Sequence, residues 1–512
     1  MKKLIYSFIL TGTLFTSCSM NEEPAGKLND ETAIQTTADA TKFRNGIYSN
    51  IRSVSNGTFI YSQEMQADMF VGTQINGNHL GPFSISSFTS SDNDLEDLWE
   101  YPYKYIANVN YFLPKLEVLI NREGIDANTK LLLERYRGEA KWARAYYYYY
   151  LTDTFCQSYT NVEPTTPASG MPLETVYHPS SEYSTYPGRS SLAETFNLIE
   201  KDLADAYNDL EAYEKSSAKD AQANLSANAP YLSTFTVLAL QARIALLKGD
   251  NATAIAKAEK VINEGSYTLT DRDLYPAIWT NDEGSELIFV PYGDQAQSSA
   301  VAAIGEAWIN SSTDKADYVA TQNALGMYDS EKDIRYEWFF EPRALSVNGA
   351  SVVAPCFVKY PGNPLLNTGS TNALKNLPKP FRLSEMYLII AEASASTDAN
   401  KANTALNTLR AARIADYEEQ TYSGQNLVNQ VREERTKELI GEGFRISDLR
   451  RWNLGFSRST AYEDIYEDVP SILIPASMNV TYEPGYYRLI LPIPTGEMET
   501  NLQLEGQQNP GY

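Results

Sequence analysis

The stretch from Phe381 to Asn453 constrains the fold of this chain more than any other. It reads FRLSEMYLIIAEASASTDANKANTALNTLRAARIADYEEQTYSGQNLVNQVREERTKELIGEGFRISDLRRWN. Leu383, Met386, Tyr387, Ile390 and Ala391 form one stripe of a 3.6-residue period, so Arg382–Ser396 is expected to be helical. Lys401–Ala415 repeats the pattern through Ala405, Leu406, Leu409 and Ala412. Leu427–Leu439 makes a third helix, with Leu427, Val428, Val431 and Leu439 on one face. Gly441 and Gly443 then end it, as glycines do at a helix C-terminus.

The first two helices have the design of a tetratricopeptide unit. The same design stands more cleanly at Tyr231–Ser266, where Ala242 and Ala254 lie twelve residues apart across the Gly249–Asp250 turn. Helices that cross closely need small residues at that separation. Ala393 and Ala405 have the same separation in the later unit. The period is not regular along the chain, so long insertions interrupt the array.

The segments RLSEMYLIIAEA, LNTLRAAR, REERTKELIGEGFRISDLRRWN and LPIPTGEMETNLQLEGQQNPGY, in that order, resemble the SusD/RagB family of outer-membrane nutrient-binding lipoproteins of Bacteroidetes. YSQEMQADMF and GNHLGPF resemble the RagB branch more than the starch-binding branch. Asp333-Ile334-Arg335 and Phe357-Val358-Lys359-Tyr360 also resemble family landmarks. The resemblance implies a mainly α fold, a tetratricopeptide-like helical-repeat scaffold with long irregular loop insertions and a few short strands. It implies capture of an oligosaccharide or oligopeptide and delivery to a TonB-dependent barrel of the SusC/RagA type. It implies no cofactor and no covalent step.

The expected organisation is a leader at 1–17, a lipidated tether at 18–37 and one SusD/RagB-like domain at 38–512. Within the domain we expect an N-terminal part at about 38–230, tetratricopeptide-like units at about 131–266 and 381–453, and an irregular ligand-loop region at about 267–380. Lys2 and Lys3 precede the apolar run Leu4–Phe15, which is too short for an ordinary membrane span. Leu14-Phe15-Thr16-Ser17 runs into Cys18. This looks like a bacterial lipoprotein signal, in which Cys18 becomes the lipidated first residue; a plain secretory leader is the alternative. Several acyl chains anchor stably, at about 0.8 kcal/mol per buried CH₂. Asn21-Glu22-Glu23 resembles the acidic export tag of Bacteroidetes lipoproteins, which implies the outer face of the outer membrane.

The formal charge of −23 argues against nucleic acid, which needs a basic footprint, and against peripheral binding to anionic lipid. Cys156 and Cys356 could pair, and sequence does not decide it. Thr41–Val54, Lys130–Phe155 and Ser191–Tyr213 are expected helices, the last two paired. Glu286–Val290 and Tyr487–Pro492 read as short strands. The run Tyr146–Tyr150, in a chain with 36 tyrosines, reads as amphipathic filler between helices.

Catalysis finds little support. The histidines are His79 and His178, with no pair at zinc spacing and no cysteine cluster. There is no G-x-S-x-G elbow, phosphate-binding glycine loop or dinucleotide fingerprint. A carboxylate pair for glycoside hydrolysis is not excluded by spacing among 65 acids. A surface hydrolase and a scaffold without a small ligand are therefore the alternatives to a binding protein. No metal ligand set is read.

The resemblance puts the ligand loops at Thr73–Phe88 and Tyr292–Thr313. There Trp308 is either a ligand platform or a packed loop anchor, and Tyr292 and Phe83 are further rings. Gln74, Asn76, Asn78 and His79 are hydrogen-bonding groups of either a site or an ordinary polar turn. Asp92, Asp94 and Asp97 precede a helix, where acids complement the dipole; an acidic lip for a cationic ligand end is the sharper reading. Trp99, Trp142, Trp279 and Trp452 read as structural, and Trp338 as ambiguous. Arg432, Glu433, Glu434, Arg435, Glu438, Arg445, Asp448 and Arg450 read as an internal ion-pair network.

Overall fold

A helix with one apolar stripe must bury it against a neighbour. The computed structural model shows how this chain does so. It describes residues 33–512 except 76–79, 181, 221, 224, 311–312, 314, 368 and 370–371. The expected leader, Cys18 and most of the tether lie outside the described residues, as do Asn76, Asn78 and His79.

The helices Asn93–Ile120, Ala127–Phe155 and Leu192–Glu214 pack side by side, with Thr37–Val54 across the first two. Thr234–Leu247 and Asn251–Glu264 form the next hairpin. Leu383–Ser394 stacks on that hairpin and pairs with Ala399–Ala411, and Gly424–Leu439 packs on both. This is the mainly α, repeat-like spine that the periodicity implies. Its boundaries follow local chemistry. The Ser191 and Ser233 side chains cap their helices in capping boxes. Gly249, at φ +74°, ends one helix, and the Asp250 carboxylate accepts from Thr253 N at 3.1 Å to start the next. Ala242, Ala254, Ala393 and Ala405 are all buried. The helix Ala127–Phe155 has neighbours on several sides, so four of its five consecutive tyrosines are buried whichever way they face.

A second core gathers the less regular residues, with Trp279, Trp308, Phe339, Phe357 and Tyr360 at its centre. Its largest strand element is the antiparallel hairpin Phe340–Val347 with Ala350–Phe357, in register from Phe340↔Phe357 to Val347↔Ala350. Asn348 and Gly349 turn it, both at positive φ, as the tightest hairpin turns require. The sequence reading assigned no strand here, although Asn-Gly is the strongest short signal for one. The expected strand at Glu286–Val290 forms as Leu287–Phe289 and pairs with Phe381–Arg382, at the head of the helix Leu383–Ser394. The expected strand at Tyr487–Pro492 does not form. Tyr487–Leu489 is a 3₁₀ turn, and Leu491 donates singly to the carbonyl of Thr154 rather than to a ladder. Cys156 and Cys356 are unpaired and buried.

The two cores meet at a buried ionic network. Glu438 lies 2.8 Å from Arg382 and 3.0 Å from both Arg413 and Arg335. Glu286 lies 2.7 Å from Arg382 and from Arg413, and Glu434 lies 2.6 Å from Arg410. Asp333 and Arg335 join it at 2.8 Å. Arg435 pairs with Asp448 and Arg445 with Asp68. Just past the helix end, Gly441 at φ +78° lets the backbone approach Phe357, whose ring a Cβ would meet at 2.7 Å.

Glu64, on the helix Thr58–Gln66, is a less balanced member of this interior. One of its carboxyl oxygens accepts from Gly443 N at 2.7 Å and Phe444 N at 3.2 Å; the other has no partner among the described residues. Burial pushes the carboxyl up to about 7, against the pull of those amides. The unfolded chain ionises this group near its ordinary 4.5. Glu64 therefore stabilises the fold fully below that pH and loses the contribution as pH rises to about 7. We expect a loss of about 3 kcal/mol across this window that Glu64→Gln does not suffer. Urea unfolding of both proteins across the window checks it; parallel pH profiles would show that Glu64 is already ionised in the fold.

Candidate functional site

The two loops expected to meet a ligand are neighbours. Phe70–Gly72 pairs antiparallel with Tyr318–Ala320. Thr73 extends the ladder, its N–H donating to Asp317 O at 2.9 Å and its hydroxyl to Ala316 O at 2.6 Å. The loop after Gly72 thus runs beside the loop before Tyr318.

Trp308 lies under this junction with no exposed surface. Its ring is 5.4 Å from Phe70 and 4.9 Å from Phe357, and it stacks on Tyr360 at 5.9 Å. A ring with both faces packed offers nothing to a ligand. The ligand-platform reading of Trp308 is therefore corrected to the loop anchor. Ile304, Ala307 and Ile309 beside it are buried too, and that local apolar set was the available signal. Phe83 is likewise corrected: it is 1% exposed and packs on Phe88 at 5.3 Å. Gln74 is exposed, and its backbone N–H donates to Leu473 O at 2.8 Å.

Asp92 is the N-cap residue of the helix Asn93–Ile120, and its carboxylate accepts from Thr89 N at 2.8 Å. Asp94 and Asp97 follow on exposed positions. Burial, then the nearby Asp94, raises the Asp97 carboxyl. None of the three lines the groove at Tyr292. Their place at the helix start fits the dipole reading.

Tyr292 is the aromatic of the expected set that reaches solvent, at 46% exposure. It lines a groove of about 430 Å³. Val290, Leu366, Leu377 and Pro230 supply apolar lining, and Asn228, Asn281, Glu283, Asp294 and Gln295 supply polar lining. The Tyr292 hydroxyl donates to Asp294 at 2.7 Å, which raises the phenol and lowers the acid. The segment is held from behind. Arg52 donates to the Tyr292 carbonyl and, at 2.9 Å, to the Gln297 amide oxygen; Lys375 donates to Ser298 O at 2.6 Å. The opposite wall is held by a buried polar knot. Asp282 accepts from Asn363 at 2.8 Å, Asn376 at 2.9 Å and Lys379 at 2.7 Å. Asn281, Glu283 and Gln295 are exposed, and their side chains make no hydrogen bond among the described residues. A firmly seated ring beside free amide and carboxylate groups can cover an apolar ligand face and reach its polar edge.

The sequence reading missed Asn281, Glu283, Asn363 and Leu365. Their signal was slight: a Thr-Asn-Asp-Glu-Gly turn after Trp279 and a Pro-Gly-Asn-Pro turn before Leu365. Among the described residues, no group of three or more His, Cys, Asp or Glu side chains stands where it could hold a metal ion. No described helix is long and apolar enough to cross a membrane.

With its ring packed on three others, Trp308 should behave as a core residue. Trp308→Ala is expected to cost about 3–5 kcal/mol of stability, read as a lower urea midpoint. A variant that melts like wild type would restore the ring to the surface.

Known proteins resemble the chain over nearly all of its length. Residues 351–512 match the model of the family described as "SusD family", and residues 20–237 match that of a family described as "Starch-binding associating with outer membrane". No curated protein matches it. The solved structure of a SusD superfamily protein from Bacteroides thetaiotaomicron is 26% identical, with a TM-score of 0.76 over 93% of this chain and 100% of that one. A SusD-like carbohydrate binding protein from Bacteroides vulgatus is 19% identical, with a TM-score of 0.70 over 92% of this chain and 98% of that one. A laminarin binding SusD-like protein is 20% identical, with a TM-score of 0.66 over 93% of this chain and 99% of that one. On these matches, at both ends of the sequence and along the whole fold, the chain belongs to the SusD/RagB family.

Proposed function

We propose that this protein captures an oligosaccharide in the Tyr292 groove, outside the cell, and passes it unaltered to a TonB-dependent outer-membrane transporter of the SusC/RagA type. The exposed Tyr292 ring, braced by Asp294 and flanked by the free side chains of Asn281, Glu283 and Gln295, carries the reading. A sugar ring has one apolar face and a rim of hydroxyls, and this surface complements both. Neighbours of the same fold described as laminarin binding and carbohydrate binding support a glycan, as does the starch-binding description of a matching family. Lipidation at Cys18 and the tether beyond it would keep the groove on the outer face of the outer membrane.

An oligopeptide is the second reading. The carboxylates of Glu283 and Asp294 at the groove favour a cationic one. Calorimetric titration against a panel of neutral oligosaccharides and a panel of cationic oligopeptides separates the two. We expect heat with a glycan, and about a tenfold weaker Kd for Tyr292→Ala, or about 1.4 kcal/mol. The melting point should stay put, because Tyr292 is a surface ring. Unchanged affinity removes Tyr292 from the site. Unchanged ligand mass after long incubation separates binding from hydrolysis. Recovery from native membrane without a barrel partner would sink the transport role.

A further inference from the structure

Where the helical hairpins of the spine meet, they enclose a groove of about 200 Å³. Leu246 and Leu247 reach it from the end of the helix Thr234–Leu247, and Asn251 from the start of Asn251–Glu264. Val428, Val431 and Arg432 come from Gly424–Leu439, and Trp452 stands just past the helix Arg445–Arg451. This groove shares no lining residue with the one at Tyr292. One wall is aliphatic, because the spine helices carry their apolar stripes to their ends and no further hairpin covers them here.

The charges along this groove do not cancel. Its lining holds the carboxylate of Glu392 and the guanidinium groups of Arg432 and Arg451. Glu392 is engaged at both oxygens: one accepts from Arg451 Nη2 at 2.7 Å, the other from the Trp452 indole N–H at 2.6 Å. Arg451 also donates to Asp448 at 2.8 Å. Arg432, expected inside the internal ion-pair network, stands outside it. Its guanidinium lies 5.0 Å from the centre of the Trp452 ring and makes no hydrogen bond or ion pair among the described residues. Burial lowers that guanidinium more than the nearby Glu392 carboxylate raises it. A half-buried cation is thus left uncompensated in a protein whose formal charge is −23.

We propose that this groove binds a short aliphatic carboxylic acid as its anion, with the carboxylate on Arg432 and the alkyl chain over Leu246, Leu247, Val428 and Val431. A guanidinium presents a planar fork of N–H donors that matches a carboxylate at two points, and its stacking on an indole holds the fork in place. One uncompensated positive charge matches a monoanion. The branched aliphatic wall suits an alkyl tail and leaves a rim of hydroxyls unsatisfied, so this is not a second place for the ligand of the Tyr292 groove. The volume is below the about 300–1,000 Å³ of a drug-sized pocket, which limits the occupant to a small molecule. The site is independent of the glycan reading.

The test is calorimetric titration of the intact protein with sodium acetate, butyrate and hexanoate at fixed ionic strength, with hexanamide and inorganic phosphate as controls. Wild-type affinity climbs from acetate to hexanoate, hexanamide gives no heat, and phosphate binds no more tightly than acetate. Arg432→Gln weakens hexanoate about tenfold. Asn251→Asp, a change at an exposed residue of the groove that brings a like charge to the ligand, also weakens hexanoate and covers the case in which Arg432→Gln fails to fold. An Arg432→Gln or Asn251→Asp protein that folds and binds hexanoate like wild type overturns the site. Flat wild-type titrations with all three acids overturn it too, as does hexanamide binding as tightly as hexanoate. Phosphate binding more tightly than hexanoate overturns the carboxylate assignment.

Discussion

Glu438 is the carboxylate on which the two halves of this structure turn. It has no exposed surface and lies within 3.0 Å of Arg335, Arg382 and Arg413. Arg335 belongs to the irregular half, Arg382 stands at the head of one spine helix, and Arg413 follows the end of the next. Removing one partner from such a group leaves a buried charge uncompensated, at a cost of about 3–5 kcal/mol. Glu286 repeats the arrangement with Arg382 and Arg413. The network therefore sets the register between a helical spine, which could otherwise slide along its apolar stripes, and a second core whose packing is mostly aromatic.

The Tyr292 groove inherits that rigidity. Glu286 leads directly into the strand Leu287–Phe289, and four residues later the chain reaches Gly293 beside the groove ring. Asp282, also buried, gathers Asn363, Asn376 and Lys379 into the opposite wall. Loops held in this way lose little freedom when a ligand arrives, so more of the contact energy is retained as affinity. The exposed side chains are few and sit on a backbone whose polar groups are already occupied, the usual division between a rigid scaffold and the loops that carry function.

Helices were legible because their signals are local. Ser191, Ser233 and the Gly249–Asp250 turn set their helix boundaries with atoms a few residues apart, and the alanines twelve apart marked close crossings. The ion-pair reading of Glu434, Glu438 and their neighbours followed from acids and bases too dense on one helix to be left unpaired. The hairpin at Asn348-Gly349 was also locally written and was passed over because the surrounding periodicity is irregular. Trp308 misled for a different reason. Polar neighbours in sequence suggested a loop surface, but its packing partners, Phe70, Phe357 and Tyr360, come from other segments.

By itself the sequence determined the helical spine, its turns and small-residue crossings, and the family to which the chain belongs. These depend on period, capping and short motifs, all expressed within one or two turns of chain. Only the tertiary structure decided which aromatic rings face solvent and which loops form one wall. Exposure is a property of what packs on a residue from elsewhere, so Trp308 and Tyr292, both in loops of the irregular half, ended one buried and one facing solvent. The joining of the Trp279–Glu283 turn to Asn363 is equally nonlocal: it runs through Asp282, whose partners lie more than eighty residues away.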